Sequence, residues 1–193
     1  YGDHRDLHLS LRRQRQMCIR DRFITALFIG CETAPVGVQV TFDDEKSNAI
    51  RAHFQNYLNN DMDGLKSLWS SDLQVFANST ESVTLDELVV LLQAQHATFD
   101  PITMSWGNGD EDLGQWVETT NYPDGPANDA VTVTQTWFTW NATSKLTGET
   151  INLPAHISFL WNEDGKISQE YHHYDTGEMM AAIEAAQAAA ATE

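Results

Sequence analysis

Apolar residues recur along this chain first at the period of a helix and then at the period of a strand. Ile50, Phe54, Tyr57 and Leu58 fall at i, i+4, i+7 and i+8, the stripe of an amphipathic helix over Asp43 to Asn60. Asp43, Asp44 and Glu45 occupy its opening turn, where negative charge suits the helix dipole, and Asn59-Asn60-Asp61 ends it. A shorter helix, Asp63 to Ser70, offers Leu65, Leu68 and Trp69 to the same core, and Asp72 to Ala77 alternates as a strand. Thr84-Leu85-Asp86-Glu87 is a capping box ahead of Leu88, Leu91 and Leu92, which predicts a third helix from Thr84 to about Thr98. Pro101 blocks its continuation, and His96 near its end reads as a surface or rim residue.

Beyond Pro101 the period shortens to two. Ile102, Met104 and Trp106 alternate; Gln115 to Thr120 and Ala130 to Asn141 are further strands, divided by the Pro/Gly/Asn-rich turn Tyr122 to Asp129. The acidic loop Gly107 to Asp112 lacks the ligand order of a calcium loop. After a turn at Lys145 to Glu149, Thr150 to Thr176 reads as two strands joined by a tight turn. Residues 177 to 193 are Ala-rich and predict a loosely held, fraying terminal helix. The order describes an α+β domain over 43–178, a curved antiparallel sheet packed against about three N-terminal helices, with 179–193 as a helix or tail.

Composition supports one domain: 193 residues, 41% of them hydrophobic, suffice for a real core. Charge is uneven, since six of the 11 basic residues but three of the 28 acids lie in the first 22 positions, which leaves residues 23–193 with a net charge of −20. Such a body repels phosphate backbones, so no nucleic-acid partner is expected. Residues 1–22 show no sustained apolar period. Met17-Cys18-Ile19-Arg20-Asp21 is what ATG-TGT-ATA-AGA-GAC encodes, a string that resembles a sequencing adapter, so this segment is expected to be an artefact outside the fold. The apolar run from Phe23 to Cys31 is far shorter than the roughly 20 residues a bilayer requires. It resembles the end of a lipoprotein signal peptide, which makes Cys31 a candidate lipidation site, residues 32–42 a tether, and the setting extracytoplasmic. A buried strand ending in an ordinary cysteine is the alternative.

Candidate chemistry gathers in the final hairpin. His156 lies on its first strand, and Glu170, His172 and Tyr174 alternate on the second. If Glu163-Asp164-Gly165 is a three-residue loop with Gly165 left-handed, Asn162 faces Lys166, and counting back sets His156 across from His172 and Ser158 across from Glu170. A slip of one residue would send His156 to the other face. That other face, with Ala155, Ile157, Phe159, Trp161, Ile167 and Tyr171, is the more apolar, so alternation alone makes it the core and leaves the His/Glu face solvated. If enclosed, His156, Glu170 and His172 form an acid/base cluster, with Trp137, Ser158, Tyr174 and Tyr57 as ligand contacts. The same trio is also a two-His-one-carboxylate set of the kind that binds a metal, though no metal or other cofactor is the expectation. The remaining tryptophans read as core or dimer contacts.

The order of elements, with Asp164-Gly165-Lys166-Ile167 opening the last strand and Tyr174-Asp175 closing it, resembles the SnoaL-like group of the nuclear transport factor 2-like superfamily over about residues 43–178. The resemblance implies a cone whose helices cover the concave face of a bent sheet over a pocket. It further implies that the polar hairpin face lines the pocket and that the apolar outer face makes a homodimer. In polyketide-cyclase members an acid works as general acid/base at the position where this chain has His172, so a carboxylate mechanism does not carry over directly. The expected function is binding of a small, partly apolar molecule. A cyclase-, isomerase- or hydratase-type acid/base enzyme and a non-catalytic interaction module are the alternatives.

Overall fold

The computed structural model describes residues 37–107 and 114–192. Cys31 and the segments assigned to adapter and signal remnant lie outside these residues, as does all but the first residue of the acidic stretch 107–112. In chain order the elements are β1 (Gln39–Thr41), α1 (Glu45–Leu58), α2 (Met62–Lys66), β2 (Trp69–Ala77), β3 (Val83–Thr84), α3 (Leu85–Thr98), β4 (Phe99–Ser105), β5 (Trp116–Tyr122), β6 (Val131–Ser144), β7 (Thr150–Trp161), β8 (Ile167–His173) and α4 (Gly177–Ala190).

Asp44 caps α1, its Oδ1 accepting from the Lys46 and Ser47 amides at 2.9 and 3.1 Å. The predicted stripe then points inward: Ile50, Phe54 and Tyr57 are buried, each side chain contributing about 1.5–3 kcal/mol by leaving water. Thr84 and Glu87 form the capping box that starts α3, which turns Leu88 and Val89 into the same core.

The eight strands form one curved, open sheet in the order β1-β5-β6-β7-β8-β2-β3, with β4 pairing the far half of β6. All pairs are antiparallel except β2–β8. That parallel pair brings the helical N-terminal half against the last strand. Two expectations change at the chain's ends. Gln39–Thr41, assigned to a tether, pairs with Thr119–Asn121 as an edge strand, and Phe42 sets its ring edge-on to Trp116 at 5.2 Å. The Ala-rich C-terminal segment is held rather than loose, because Met179 and Ile183 are buried.

The sheet's inner face is apolar. On β7 the buried residues are Ile151, Leu153, Ala155, Ile157 and Phe159, and on β6 they are Thr134, Thr136, Phe138, Trp140, Ala142 and Ser144. Phe54 of α1 meets Phe138 and Phe159 edge-on, with ring centroids 5.1 and 6.1 Å apart. The apolar hairpin face therefore lies under the helices and not, as the resemblance implied, in an outer interface.

The turn of the last hairpin forms as predicted, but the register beyond it does not. Gly165 has φ +71°, its amide donates to Asn162 O at 3.1 Å, and the Asn162 amide donates to Lys166 O at 2.9 Å. Trp161 pairs with Ile167, whereas Leu160 pairs with Gln169, so Ser168 is an extra residue on β8, a bulge. Every later pairing is displaced by one: Phe159 faces Glu170, Ile157 faces His172, and His156 faces His173. Burial repeats the result, since Ile167 and Glu170, three residues apart, are both buried.

Gly165 has open space where a Cβ would sit, so substitution tests backbone conformation alone. Gly165→Ala is expected to lower stability by about 1 kcal/mol, the cost of a left-handed backbone for a residue with a Cβ, as read by urea denaturation.

Candidate functional site

The bulge at Ser168 delivers Glu170 and His172 to the inner face, and Tyr174, just past the end of β8, follows at the same spacing. Glu170 is 3% exposed. Its Oε2 lies 2.7 Å from His172 Nε2, and its Oε1 accepts from the indole Nε1 of Trp69 at 2.5 Å. Trp69 opens β2, the strand running parallel to β8, so strand pairing places the donor. Burial pushes the Glu170 carboxyl up. The hydrogen bond from His172, the positive charge that His172 and His53 carry when protonated, and the Trp69 bond outweigh this and hold it below its ordinary range. An ionised Glu170 can only accept, so His172 carries its proton on Nε2. His172 Nδ1 then faces the Tyr174 hydroxyl at 3.2 Å. Burial and the negative charge of Glu170 push that phenol up to about 12, which keeps it neutral.

Helix α1 adds a residue absent from the expected site. His53 is buried, sets its ring edge-on to Trp69 at 4.8 Å, and has no hydrogen-bond partner at Nδ1. Burial pushes its pKa down to about 4, against the opposing pull of Glu170, so the ring is neutral at pH 7. One turn on, the Tyr57 hydroxyl donates to Gln95 Oε1 at 2.7 Å and accepts from Trp140 Nε1 at 2.8 Å. Gln95 Nε2 reaches the Met179 sulfur at 3.3 Å. Burial pushes the Tyr57 phenol above its ordinary range.

These groups surround a cavity walled by apolar side chains, among them Phe54, Leu92, Met104, Phe138 and Ile157. It leaves about 80 Å3 for the centres of water-sized molecules. A single water requires about 10–15 Å3 on the same measure, so a small organic molecule fits with modest movement of the walls. No Lys or Arg lines it among the described residues.

Of the site residues expected from sequence, Glu170, His172, Tyr174 and Tyr57 meet in this cavity. His156, Ser158 and Trp137 do not, because the bulge leaves them on the outer face of the sheet. There His156 Nδ1 lies 3.0 Å from Thr136 O, its Nε2 lies 3.2 Å from Ser158 Oγ, and its ring stacks on Trp137 at 4.5 Å and on His173 at 5.8 Å. His156 therefore joins neither the acid/base cluster nor a metal set with Glu170 and His172. Among the described residues no group of three His, Cys, Asp or Glu side chains is placed to hold a metal ion. His96, expected at the surface or rim, tilts its ring against Tyr57 at 5.0 Å, and burial lowers its pKa.

His53 and Gln95 complete the site without having been singled out, and Trp69, expected on a short helix facing the core, enters the site from the first position of β2. His53 had a legible signal: it precedes Phe54 and lies three residues after Ile50, on the buried side of the α1 stripe. Trp69 and Gln95 had none beyond their neighbours' periodicity, because their partners are 101 and 38 residues away.

No family model and no curated protein sequence matches this chain. Solved structures do resemble it. AclR from Streptomyces galilaeus, a candidate hydroxylase, is 12% identical, superposes with a TM-score of 0.52, and matches over 72% of this chain and 96% of its own. IdmH from Streptomyces antibioticus, a candidate polyketide cyclase, is 13% identical with a TM-score of 0.51, over 73% of this chain and 99% of its own. An NTF2-like protein from Exiguobacterium is 16% identical with a TM-score of 0.48, over 66% and 98%. The shared feature is the fold.

His53 binds a proton near its ordinary 6.5 when the chain is unfolded but only near pH 4 when folded. Its contribution to stability is intact above pH 6.5 and is lost as the pH falls toward 4. Between pH 7 and pH 5 the protein is expected to lose about 2 kcal/mol more stability than His53→Leu does. Denaturant titrations of both proteins at the two pH values measure the difference, and the window stays above the range where Glu170 protonates.

Proposed function

We propose that this NTF2-like cone binds a small, partly apolar molecule in its cavity and moves a proton on it, with His172 and Glu170 as the acid/base pair. The observation that carries the reading is the buried Glu170 carboxylate, bonded to His172 Nε2 at 2.7 Å at the edge of an apolar cavity. A carboxylate so placed fixes the imidazole tautomer and stabilises the imidazolium that forms when Nδ1 takes a proton. Tyr174 at 3.2 Å from Nδ1 either relays that proton or yields its place to the ligand. The apolar walls keep water away while it moves.

A second reading, binding without turnover, is favoured by one feature. Both carboxylate oxygens and both imidazole nitrogens already have partners within the protein, so a ligand must displace Tyr174 to reach Nδ1. Exchange with heavy water separates the two. A small molecule that co-purifies with the protein, identified by mass spectrometry, is expected to gain deuterium at carbon with the native chain and not with His172→Gln. Binding to both proteins with no deuterium gained in either result would leave the second reading standing.

The proposal includes two elements of setting, supported by sequence and resemblance alone: pairing of two copies through the outer sheet face, and a lipid anchor at Cys31. Light scattering, and palmitate labelling that disappears in Cys31→Ala, are their checks.

A further inference from the structure

The cavity's polar groups are nearly all committed to one another. Tyr57 is held between Gln95 and Trp140, and Glu170 between Trp69 and His172, whose other nitrogen faces Tyr174. His53 differs. Its side chain lines the cavity, is 6% exposed, and leaves Nδ1 with no partner. Native interiors rarely leave such a group unmet, and a buried imidazole nitrogen without a bond forfeits what it had in water. Replacing the ring by an aliphatic side chain would remove that cost, so its presence calls for something the cavity receives.

From this we infer that His53 is the ligand-orienting residue of the cavity and that the ligand is an uncharged molecule carrying a hydroxyl group on an apolar body. The inference rests on the binding reading above. A hydroxyl both donates and accepts, so it satisfies either tautomer of a neutral imidazole, whereas a carbonyl serves only the one that presents N–H. The charge requirement follows from the lining. Among the described residues no Lys or Arg faces the cavity to receive an anion. The Glu170 carboxylate, which would otherwise attract a cation, already holds two donors and stands between two imidazoles. An ion entering this space would shed its hydration with no new partner. His53 lies one helical turn before Tyr57 on the same face of α1, so a hydroxyl held at His53 directs the rest of the ligand along the apolar walls toward Tyr57.

The test uses four probes of one size: cyclohexanol, methylcyclohexane, cyclohexanecarboxylate and cyclohexylammonium, titrated by calorimetry into the native protein and His53→Leu. Comparing the two neutral probes across the two proteins cancels their different costs of leaving water. The ratio of cyclohexanol to methylcyclohexane affinity is expected to fall about tenfold or more in His53→Leu, the worth of a hydrogen bond to an otherwise unmet buried group. Neither ion is expected to bind the native protein measurably. In the native protein cyclohexanol, and not methylcyclohexane, should move the ring 15N resonances of His53, a readout that a purely structural role would leave still. An unchanged ratio, or carboxylate binding as tight as that of the alcohol, overturns the inference while leaving the cavity a binding site. The same His53 dependence seen with cyclohexanone and not with cyclohexanol overturns the hydroxyl assignment. If neither neutral probe binds the native protein, the binding reading fails along with it.

Discussion

The buried carboxylate of Glu170 ties together the elements that form the cavity. Removing a charge from water into an apolar interior costs several kcal/mol, and the charge is tolerated only where donors meet it. Two do, and each ties a different part of the chain to β8. Trp69 comes from the first residue of β2, so its bond holds the parallel β2–β8 pair where the N-terminal half meets the C-terminal hairpin. His172 comes from β8 itself, two residues on, and its bond keeps strand and site in one register. His53 packs on Trp69 from α1, which brings the first helix into the same arrangement. Loss of either donor would leave a buried charge partly unmet, so the geometry of helix, parallel strand and hairpin is fixed together.

That arrangement depends on one extra residue. Without Ser168 in the bulge, strict alternation from Ile167 would place Glu170 and His172 on the outer face with Tyr171 turned inward. The inner face of β7 is set by Ile157 and Phe159, which the helices cover, so it has no freedom to reverse. The bulge lets one strand satisfy two demands: an apolar Ile167 at the start of the core and a polar pair at the cavity a few residues later. It also explains the stack of Trp137, His156 and His173 outside, where His156 is left with Thr136 and Ser158 as its partners.

Local chemistry explains which features could be read from sequence. The capping box at Thr84, the stripe through Ile50, Phe54 and Tyr57, and the left-handed Gly165 turn each depend on residues within a few positions of one another. The cone, too, was legible through the resemblance carried by Asp164-Gly165-Lys166-Ile167 and Tyr174-Asp175. The site was legible only in part. Glu170, His172 and Tyr174 sit at period two on one strand and travel together whichever face they take. Grouping them with His156 required the register to survive from the turn to the sixth residue beyond Lys166, and Ser168, an ordinary residue with no turn signature, breaks it at the second step. Trp69 was beyond reach for a different reason: its role depends on a parallel pairing between segments about a hundred residues apart, and no local pattern encodes that pairing.

The polar groups of the cavity fall into two sets, one satisfied within the protein and one not. From Trp140 through the Tyr57 hydroxyl to Gln95 donors meet acceptors, while His96 Nε2, on the ring beside Tyr57, is buried without a partner. A satisfied network of that kind specifies packing and contributes to a unique fold. Around His53 the balance is left open, because Nδ1 is buried and meets no donor or acceptor of the protein. Packing on Trp69 gives folding a use for the His53 ring but not for its unmet nitrogen, and that nitrogen is where the proposed ligand would bond. Glu170 acts on His53 by its charge, so under the proposed reading a ligand bonded to His53 would lie near the Glu170–His172 pair to which proton transfer is assigned.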